Sequence, residues 1–167
     1  MGRYVGIPVL ILAAILDVTL MAQFRIGGGA PDLVFMLVVS WALLSTLQEA
    51  LVWAVVGGVV KDALSVAPLG TSALGMVIVV FLVDSLFGTV RRTNLLIPLP
   101  VIAIGTVIYH LAILAVLQIV GYGLSIGEGF VYVTLPTMVY NTILILPVFR
   151  TMGLVQQWLA PRRVRLE

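Results

Sequence analysis

The sequence predicts an all-α integral membrane protein in which a bundle of six transmembrane helices forms a single domain over residues 1–167. Hydrophobic residues make up 62% of the chain and charged residues only 10%, whereas soluble domains are about 45–50% apolar and about 25% charged. At about 20 residues per span, 167 residues allow five or six spans and leave no room for a soluble catalytic domain. Cysteine is absent, which excludes disulfides and thiolate metal sites.

The first three predicted spans cover residues 4–24, 31–47 and 50–66. The first apolar run is too long for the core of a signal peptide, and no small-residue cleavage pattern follows it. The glycines at 27–29 and Pro31 then predict a turn, because glycine adopts positive φ freely and proline suits the first turn of a helix. A turn at Thr46 to Glu49 separates spans two and three, since one helix over residues 31–60 would be about 45 Å long, against a hydrocarbon core of about 30 Å.

The last three predicted spans cover residues 71–87, 96–120 and 130–148. The turn Pro68-Leu69-Gly70 precedes the first of them, and the polar residues 91–94 form the next loop. Four glycines between 121 and 129 predict a flexible loop before the sixth span. Pro136 lies in the first half of that span and Pro147 near its end.

The arginines predict that both chain termini lie in the cytoplasm. With six spans, one side of the membrane carries Arg3, Arg91, Arg92, Arg150, Arg162, Arg163 and Arg165, and Arg25 lies on the other side. The positive-inside rule therefore explains the net positive charge of the chain, and nucleic-acid binding is not needed to explain it. A five-span arrangement with an external N-terminus fits the charges nearly as well. Length favours six spans, as does the cost of about 2.5–3.5 kcal/mol for placing Glu49 near the bilayer centre.

Four ionisable residues are predicted to meet at one end of spans one to three. They are Asp17, Asp32, Lys61 and Asp62. Lys61 and Asp62 are adjacent and point about 100° apart on a helix, so we expect each to pair with another helix, Lys61 with Asp17 or Asp32. An ion-pair network that fixes the register of the helices is the simpler interpretation, and a transport or ligand-binding role is the alternative.

Three further polar residues lie inside predicted spans. A single histidine, His110, is a poor metal site, so we interpret it as a hydrogen-bonded packing residue rather than a proton relay. Asn141 is expected to make hydrogen bonds between helices, and Asp84 lies within reach of Arg91 and Arg92. The chain contains no nucleophile with a base, no phosphate-binding glycine loop and no metal-ligand cluster. The sequence therefore predicts neither an enzyme nor a cofactor.

Three short motifs follow one another in the first half of the chain. They are Pro31-Asp32-Leu33, then Gly57-Gly58-Val59-Val60-Lys61-Asp62, then Pro68-Leu69-Gly70. This order resembles the family of the bacterial rod-shape-determining membrane protein MreD. In that family a Pro-Asp pair opens a helix, a glycine-rich helix ends in aspartate, and a Pro-Leu-Gly turn follows. The second half of the chain agrees with the family only in hydropathy and length.

The resemblance implies a non-enzymatic inner-membrane subunit of the machinery for cell elongation and peptidoglycan synthesis. It implies association with a single-span periplasmic protein like MreC. Through that protein it implies indirect contact with an MreB-like filament, a RodA-like glycosyltransferase and a class B penicillin-binding transpeptidase. Because lateral helix contacts need small residues, the partner helix is expected to dock on spans one to three near Gly57, Gly58, Ala13 and Ala14.

The resemblance also implies a fold similar to the substrate-binding S subunits of energy-coupling-factor vitamin transporters. A vitamin-binding subunit with a pocket on the outer side is therefore the alternative function. Two features argue against it. The Ala-x-x-x-Ala docking pattern of those subunits is absent here, since Asp17 and Val18 follow Ala13 and Ala14 by four residues. The 121–129 loop is also poor in groups that would hold a vitamin.

Overall fold

The computed structural model describes residues 2–25, 28–87, 96–123 and 125–159, which form helices and short connections without a β-strand. The helices are α1 (Gly2–Thr19), α2 (Leu33–Leu44), α3 (Leu47–Ala63), α4 (Thr71–Phe87), α5 (Pro98–Val120), α6 (Ile126–Gly129) and α7 (Leu135–Leu159). A 3₁₀ turn, Met21–Phe24, follows α1, and a π-helical turn, Phe130–Thr134, joins α6 to α7. Six long helices match the number of predicted spans.

Three element boundaries differ from those predicted. Helices α2 and α3 are separate, but the break lies at Ser45 and Thr46, and Glu49 already belongs to the first turn of α3. A carboxylate there is favoured by the positive end of the helix dipole. The predicted loop over residues 121–129 was wrong in its second half, because Ile126–Gly129 is helical. The last helix also continues past Pro147 to Leu159 instead of ending near residue 148.

Helix α2 lies at the centre of the bundle. Ten of its 12 residues are buried, and it contacts α1, α3, α4, α5 and α7. The neighbours α1 and α3, α3 and α4, α4 and α5, and α5 and α7 also contact each other, so they surround α2. A helix that is apolar on every side is typical of such a core position. At about 18 Å long, α2 begins and ends inside the protein, and its terminal backbone groups need partners there.

Helices α3 and α4 approach each other through Gly58. A Cβ atom on this glycine would lie 2.2 Å from the Cα atom and 2.3 Å from the nitrogen of Ala73, distances that no side chain tolerates. The neighbouring Gly57 faces Val34 and Leu10 in the core. The predicted docking surface at Gly57, Gly58, Ala13 and Ala14 is therefore wrong, because all four residues are buried within the chain's own bundle.

The chain segment before α2 is attached to α7 through the π-helical turn. Pro136 has no N–H group, so the carbonyl of Tyr132, four residues earlier, lacks its normal helical partner. The N–H of Gly28 donates to this carbonyl at 3.0 Å. The wider turn places the N–H of Leu135 on the carbonyl of Phe130, five residues back. A proline thus creates the backbone acceptor that holds the connection between α1 and α2.

The outward faces of the helices carry large apolar side chains. Exposed examples are Ile7, Ile11 and Ile15 on α1, Val52, Val55 and Val59 on α3, and Ile104 and Leu111 on α5. Soluble monomers rarely expose contiguous apolar surfaces of this kind. Among the described residues, Pro98–Val120 and Gly127–Trp158 are helices long and apolar enough to cross a membrane, and Gly6–Thr19, Leu33–Leu44 and Thr71–Phe87 are shorter apolar helices.

We expect Gly58→Leu to prevent α3 and α4 from packing. The new side chain would overlap the backbone of Ala73, so the cost should reach or exceed the upper end of the about 1–3 kcal/mol typical of overpacked cores. The measurement is the amount of monodisperse protein and its thermal unfolding midpoint in detergent. Val59→Leu is the matched control because Val59 is exposed. Equal behaviour of the two variants would show that the α3–α4 contact is not close.

Candidate functional site

Two carboxylates cap the buried start of α2. The Asp17 side chain, from the end of α1, accepts hydrogen bonds from the N–H groups of Leu33 at 2.8 Å and Val34 at 3.2 Å. Asp32 is the N-cap residue, and its side chain accepts from the N–H of Phe35 at 2.9 Å. The first N–H groups of a helix have no partner within the helix. Asp17 and Asp32 supply those partners, and their negative charge is favoured by the helix dipole.

Lys61 connects the end of α3 to the start of α2. Its ammonium group forms an ion pair with the second carboxylate oxygen of Asp32, which is one of the two pairings expected from the sequence. The Lys61 nitrogen also lies 5.3 Å from the ring centroid of Tyr109 on α5, within the range of a cation–π contact. Lys61 therefore connects α3 to the capped start of α2 and to α5.

Asp62 serves a different helix from its neighbour Lys61. Its carboxylate accepts hydrogen bonds from the N–H of Gly70 at 2.8 Å and from the N–H of Ser72, at 3.0 Å to the nearer oxygen. Gly70 has a φ of +94°, a conformation that favours glycine. Asp62 therefore contacts a different helix from Lys61, as their adjacent positions predicted, but its partners are backbone N–H groups and not a charged side chain. Asp62 holds the Pro68-Leu69-Gly70 turn and the start of α4 in place.

Asn141 on α7 joins three elements. Its side-chain oxygen accepts from the N–H of Asp32 at 3.0 Å, and its side-chain nitrogen donates to the Thr106 hydroxyl on α5 at 3.2 Å. One helical turn further along α5, a ring nitrogen of His110 shares a hydrogen bond with the Thr134 hydroxyl at 3.2 Å. All these contacts extend the polar cluster from α2 towards α5 and α7.

We call the place where α1 and α3 finish and α2 and α4 begin the charged end of the bundle. A cavity of about 630 Å³ opens there. Its lining includes the charged side chains of Asp17, Arg25, Asp32 and Lys61, and also His110. A second cavity of about 380 Å³ lies against α5 and the π-helical turn, and its lining includes Ile113, Leu114, Leu117 and Val133. Both cavities are lined by His110 and Val133, so they adjoin at these residues.

The acidic side chains of this region hold helix starts in position. Within the ranges that the structure describes, no group of three or more His, Cys, Asp or Glu side chains is placed to hold a metal ion. The carboxylates of Asp17, Asp32 and Asp62 accept backbone N–H groups at helix starts. The charged residues thereby fix the relative positions of four helices.

Some residues of the cluster were missed by sequence reasoning. Thr106, Ser72 and Arg25 were not predicted to belong to it. For Thr106 a signal existed, because Thr106 and His110 are four residues apart and so share one face of an otherwise apolar helix. Arg25 follows the 3₁₀ turn, and only the path of the chain brings it to the cavity.

Other predicted contacts concern the opposite end of the bundle. Asp84 lies in the last turn of α4 and is half-buried. Its predicted partners Arg91 and Arg92 lie outside the described residues, as do the arginines at 162, 163 and 165. At this end the Gln156 side chain donates to the Leu44 carbonyl, which links the end of α7 to the end of α2.

The fold and the cluster define a helical bundle with an apolar outer surface and charged residues enclosed between its helices, which is the design of a multi-pass membrane protein. The sequence model of the family described as rod shape-determining protein MreD matches residues 1–157. The chain therefore belongs to the MreD family, a family of membrane proteins that determine rod shape. The match also covers the second half of the chain, where only hydropathy and length had agreed. No curated protein and no solved structure matches the chain.

We expect Asp62→Ala to destabilise the protein more than Asp62→Asn. Alanine removes the acceptor of one buried N–H group, that of Ser72, and of one partly buried N–H group, that of Gly70. A buried N–H group left without a partner costs about 1–3 kcal/mol. Asparagine keeps one oxygen that can accept from Gly70 or Ser72. The measurement is the thermal unfolding midpoint in detergent. A midpoint for Asp62→Ala equal to that of the unmodified protein would contradict the capping role.

A double-mutant cycle tests the ion pair between Lys61 and Asp32. Lys61→Met leaves the buried Asp32 carboxylate without its counter-charge, and the expected loss is up to about 3 kcal/mol. This is the lower end of the range of about 3–5 kcal/mol for buried pairs, because the Lys61 side chain remains 25% exposed. The Asp32→Asn change keeps a good N-cap residue, so the double variant should regain most of the loss. Additive losses in unfolding free energy would argue against coupling of the two residues.

Proposed function

We propose that this protein is a non-enzymatic scaffold subunit of the bacterial cell-elongation machinery, embedded in the inner membrane. Membership of the MreD family supports the role in rod shape, since that family is one of shape-determining membrane proteins not known as enzymes. The observation that carries the scaffold role is the use of four charged side chains between the helices. Asp17, Asp32 and Asp62 cap helix starts, and Lys61 ties α3 to α2. Such a cluster rigidifies a bundle.

The whole chain, residues 1–167, is proposed to form one transmembrane domain with both termini in the cytoplasm. The distribution of arginine supports this orientation. The charged end then faces the periplasm, and the ends of α4 and α7 face the cytoplasm.

The proposed partner is a single-span periplasmic protein like MreC, since the family is part of the MreBCD shape-determining system. Through it the protein would act indirectly on an MreB-like filament, a RodA-like glycosyltransferase and a class B penicillin-binding transpeptidase. We place the lateral contact on the outer face that α1 and α3 share. These helices are neighbours, and Val52, Val55 and Val59 form an exposed stripe on α3. Within lipid, such an apolar stripe can pack against a partner helix by van der Waals contacts.

The alternative function, a substrate-binding subunit of a vitamin transporter, gains no support from these comparisons. The scaffold role is therefore the single function that we propose.

Cysteine crosslinking to the MreC-like partner tests the proposed contact, and the chain contains no native cysteine. Single cysteines at Ile11 on α1 and Val55 on α3 should crosslink to cysteines in the partner's membrane helix. Cysteines at Leu111 on α5 and Ile143 on α7 are the matched controls, because these positions are also exposed and apolar. Crosslinks from Leu111 and Ile143 alone would move the interface to the other side of the bundle. Failure of the partner to co-purify from native membranes would refute the scaffold role itself.

Reporter fusions test the orientation. A fusion at Gly28 is expected to report the periplasm, and one at Thr93 the cytoplasm, because the arginine-rich segments should remain inside. The measurement is the activity ratio of a periplasm-dependent and a cytoplasm-dependent reporter. A cytoplasmic signal at Gly28 together with an external N-terminus would support five spans instead of six.

A further inference from the structure

The cavity at the charged end contains cationic groups that are not needed for helix capping. Asp17 and Asp32 are needed at the start of α2, whereas Arg25 lies outside the helices and lines the cavity rim as an exposed side chain. The ion pair with Asp32 uses one of the three N–H groups of Lys61. The cavity therefore presents cationic donors in addition to those that the fold uses.

The cavity lining carries acidic and basic side chains in equal number. Asp17 and Asp32 supply two carboxyl groups, and Arg25 and Lys61 supply two cationic groups. Each Asp17 oxygen accepts one backbone N–H group, and a carboxylate oxygen has a second lone pair free to accept another. Separated charges with no net excess complement a zwitterion better than a simple anion. A phosphate suits Arg25 and Lys61, and a primary ammonium suits Asp17.

The adjoining second cavity extends this site with a mostly apolar surface, although Ser125, Glu128 and Thr134 also line it. Leu114 and Leu117 line only that cavity, and His110 and Val133 line both. The first cavity, at about 630 Å³, falls within the range of about 300–1,000 Å³ typical of small-molecule sites. A polar chamber that opens beside an apolar one fits an amphiphile with a charged head and a hydrocarbon chain.

We propose that the charged end binds a glycerophospholipid with a phosphoethanolamine headgroup. The phosphate is held by Arg25 and Lys61, the ammonium group donates to Asp17, and one acyl chain occupies the cavity lined by Leu114 and Leu117. A choline headgroup is disfavoured because its quaternary ammonium has no N–H to donate to a carboxylate. A glycerol headgroup is disfavoured because it supplies no positive charge.

Native mass spectrometry of the full chain in detergent tests the proposal. The delipidated protein is titrated separately with dioleoyl phosphatidylethanolamine, phosphatidylglycerol and phosphatidylcholine. We expect one phosphatidylethanolamine per chain, bound at least about fivefold more tightly than the other two lipids. Equal binding of the three lipids would overturn the proposal. Free phosphoethanolamine that displaces the lipid completely at equal concentration would also overturn it, since the site would then take the headgroup alone.

Matched variants locate the site. Arg25→Gln and Leu117→Trp should each weaken phosphatidylethanolamine binding about fivefold, the first at the headgroup and the second by filling the acyl cavity. The controls are Arg150→Gln and Leu111→Trp, exposed residues of the same types that line neither cavity. Binding unchanged in both test variants, or equally weakened in the controls, would overturn the assignment.

Lipid-dependent stabilisation separates binding from folding. Added phosphatidylethanolamine should raise the thermal unfolding midpoint of the unmodified protein, because a ligand bound only to the folded state stabilises it. Arg25→Gln should keep the lipid-free midpoint and lose most of this rise. A rise of the same size in Arg25→Gln would refute the role of Arg25.

Discussion

The buried start of α2 is the constraint on which the rest of the bundle depends. This helix is enclosed by five others, so its first N–H groups need partners within the protein, and a buried one left unpaired would cost about 1–3 kcal/mol. Two carboxylates, Asp17 and Asp32, satisfy them. The buried Asp32 carboxylate then needs charge compensation, which comes from the helix dipole and from Lys61. The position of α1 and α3 against α2 follows from this requirement.

The start of α4 is also capped by a carboxylate, that of Asp62, which is adjacent to Lys61 in the sequence. Adjacent residues on a helix point in different directions, so Lys61 turns towards α2 while Asp62 turns towards the start of α4. Gly58, one turn earlier, allows α4 to lie directly against α3. The glycine and the two charged residues therefore act together. The glycine permits the close contact, Asp62 orients the helix that makes it, and Lys61 holds α3 against α2.

The same cluster relates the fold to the proposed function. A scaffold in a membrane must present a constant surface to its partners, and within lipid a bundle gains little from the hydrophobic effect between helices. Hydrogen bonds such as those of Asn141 to Asp32 and Thr106 then supply specific contacts between helices. The cavity with Arg25 at its rim adds a place where a bound lipid can contribute to that surface.

The sequence by itself determined the class of protein, the number of long helices and four charged residues of the charged end, but not Arg25. Apolar composition and spans of about 20 residues are local properties, and the cost of charge in lipid predicts that Asp17, Asp32, Lys61 and Asp62 have partners. Only the tertiary structure decided which partner each one takes. Asp62 caps α4 and does not pair with Lys61, because the turn at Gly70 brings two N–H groups to its carboxylate. Gly58 likewise permits the close approach of any helix, but the tertiary structure places α4 against it. A partner protein must therefore contact another face of the bundle.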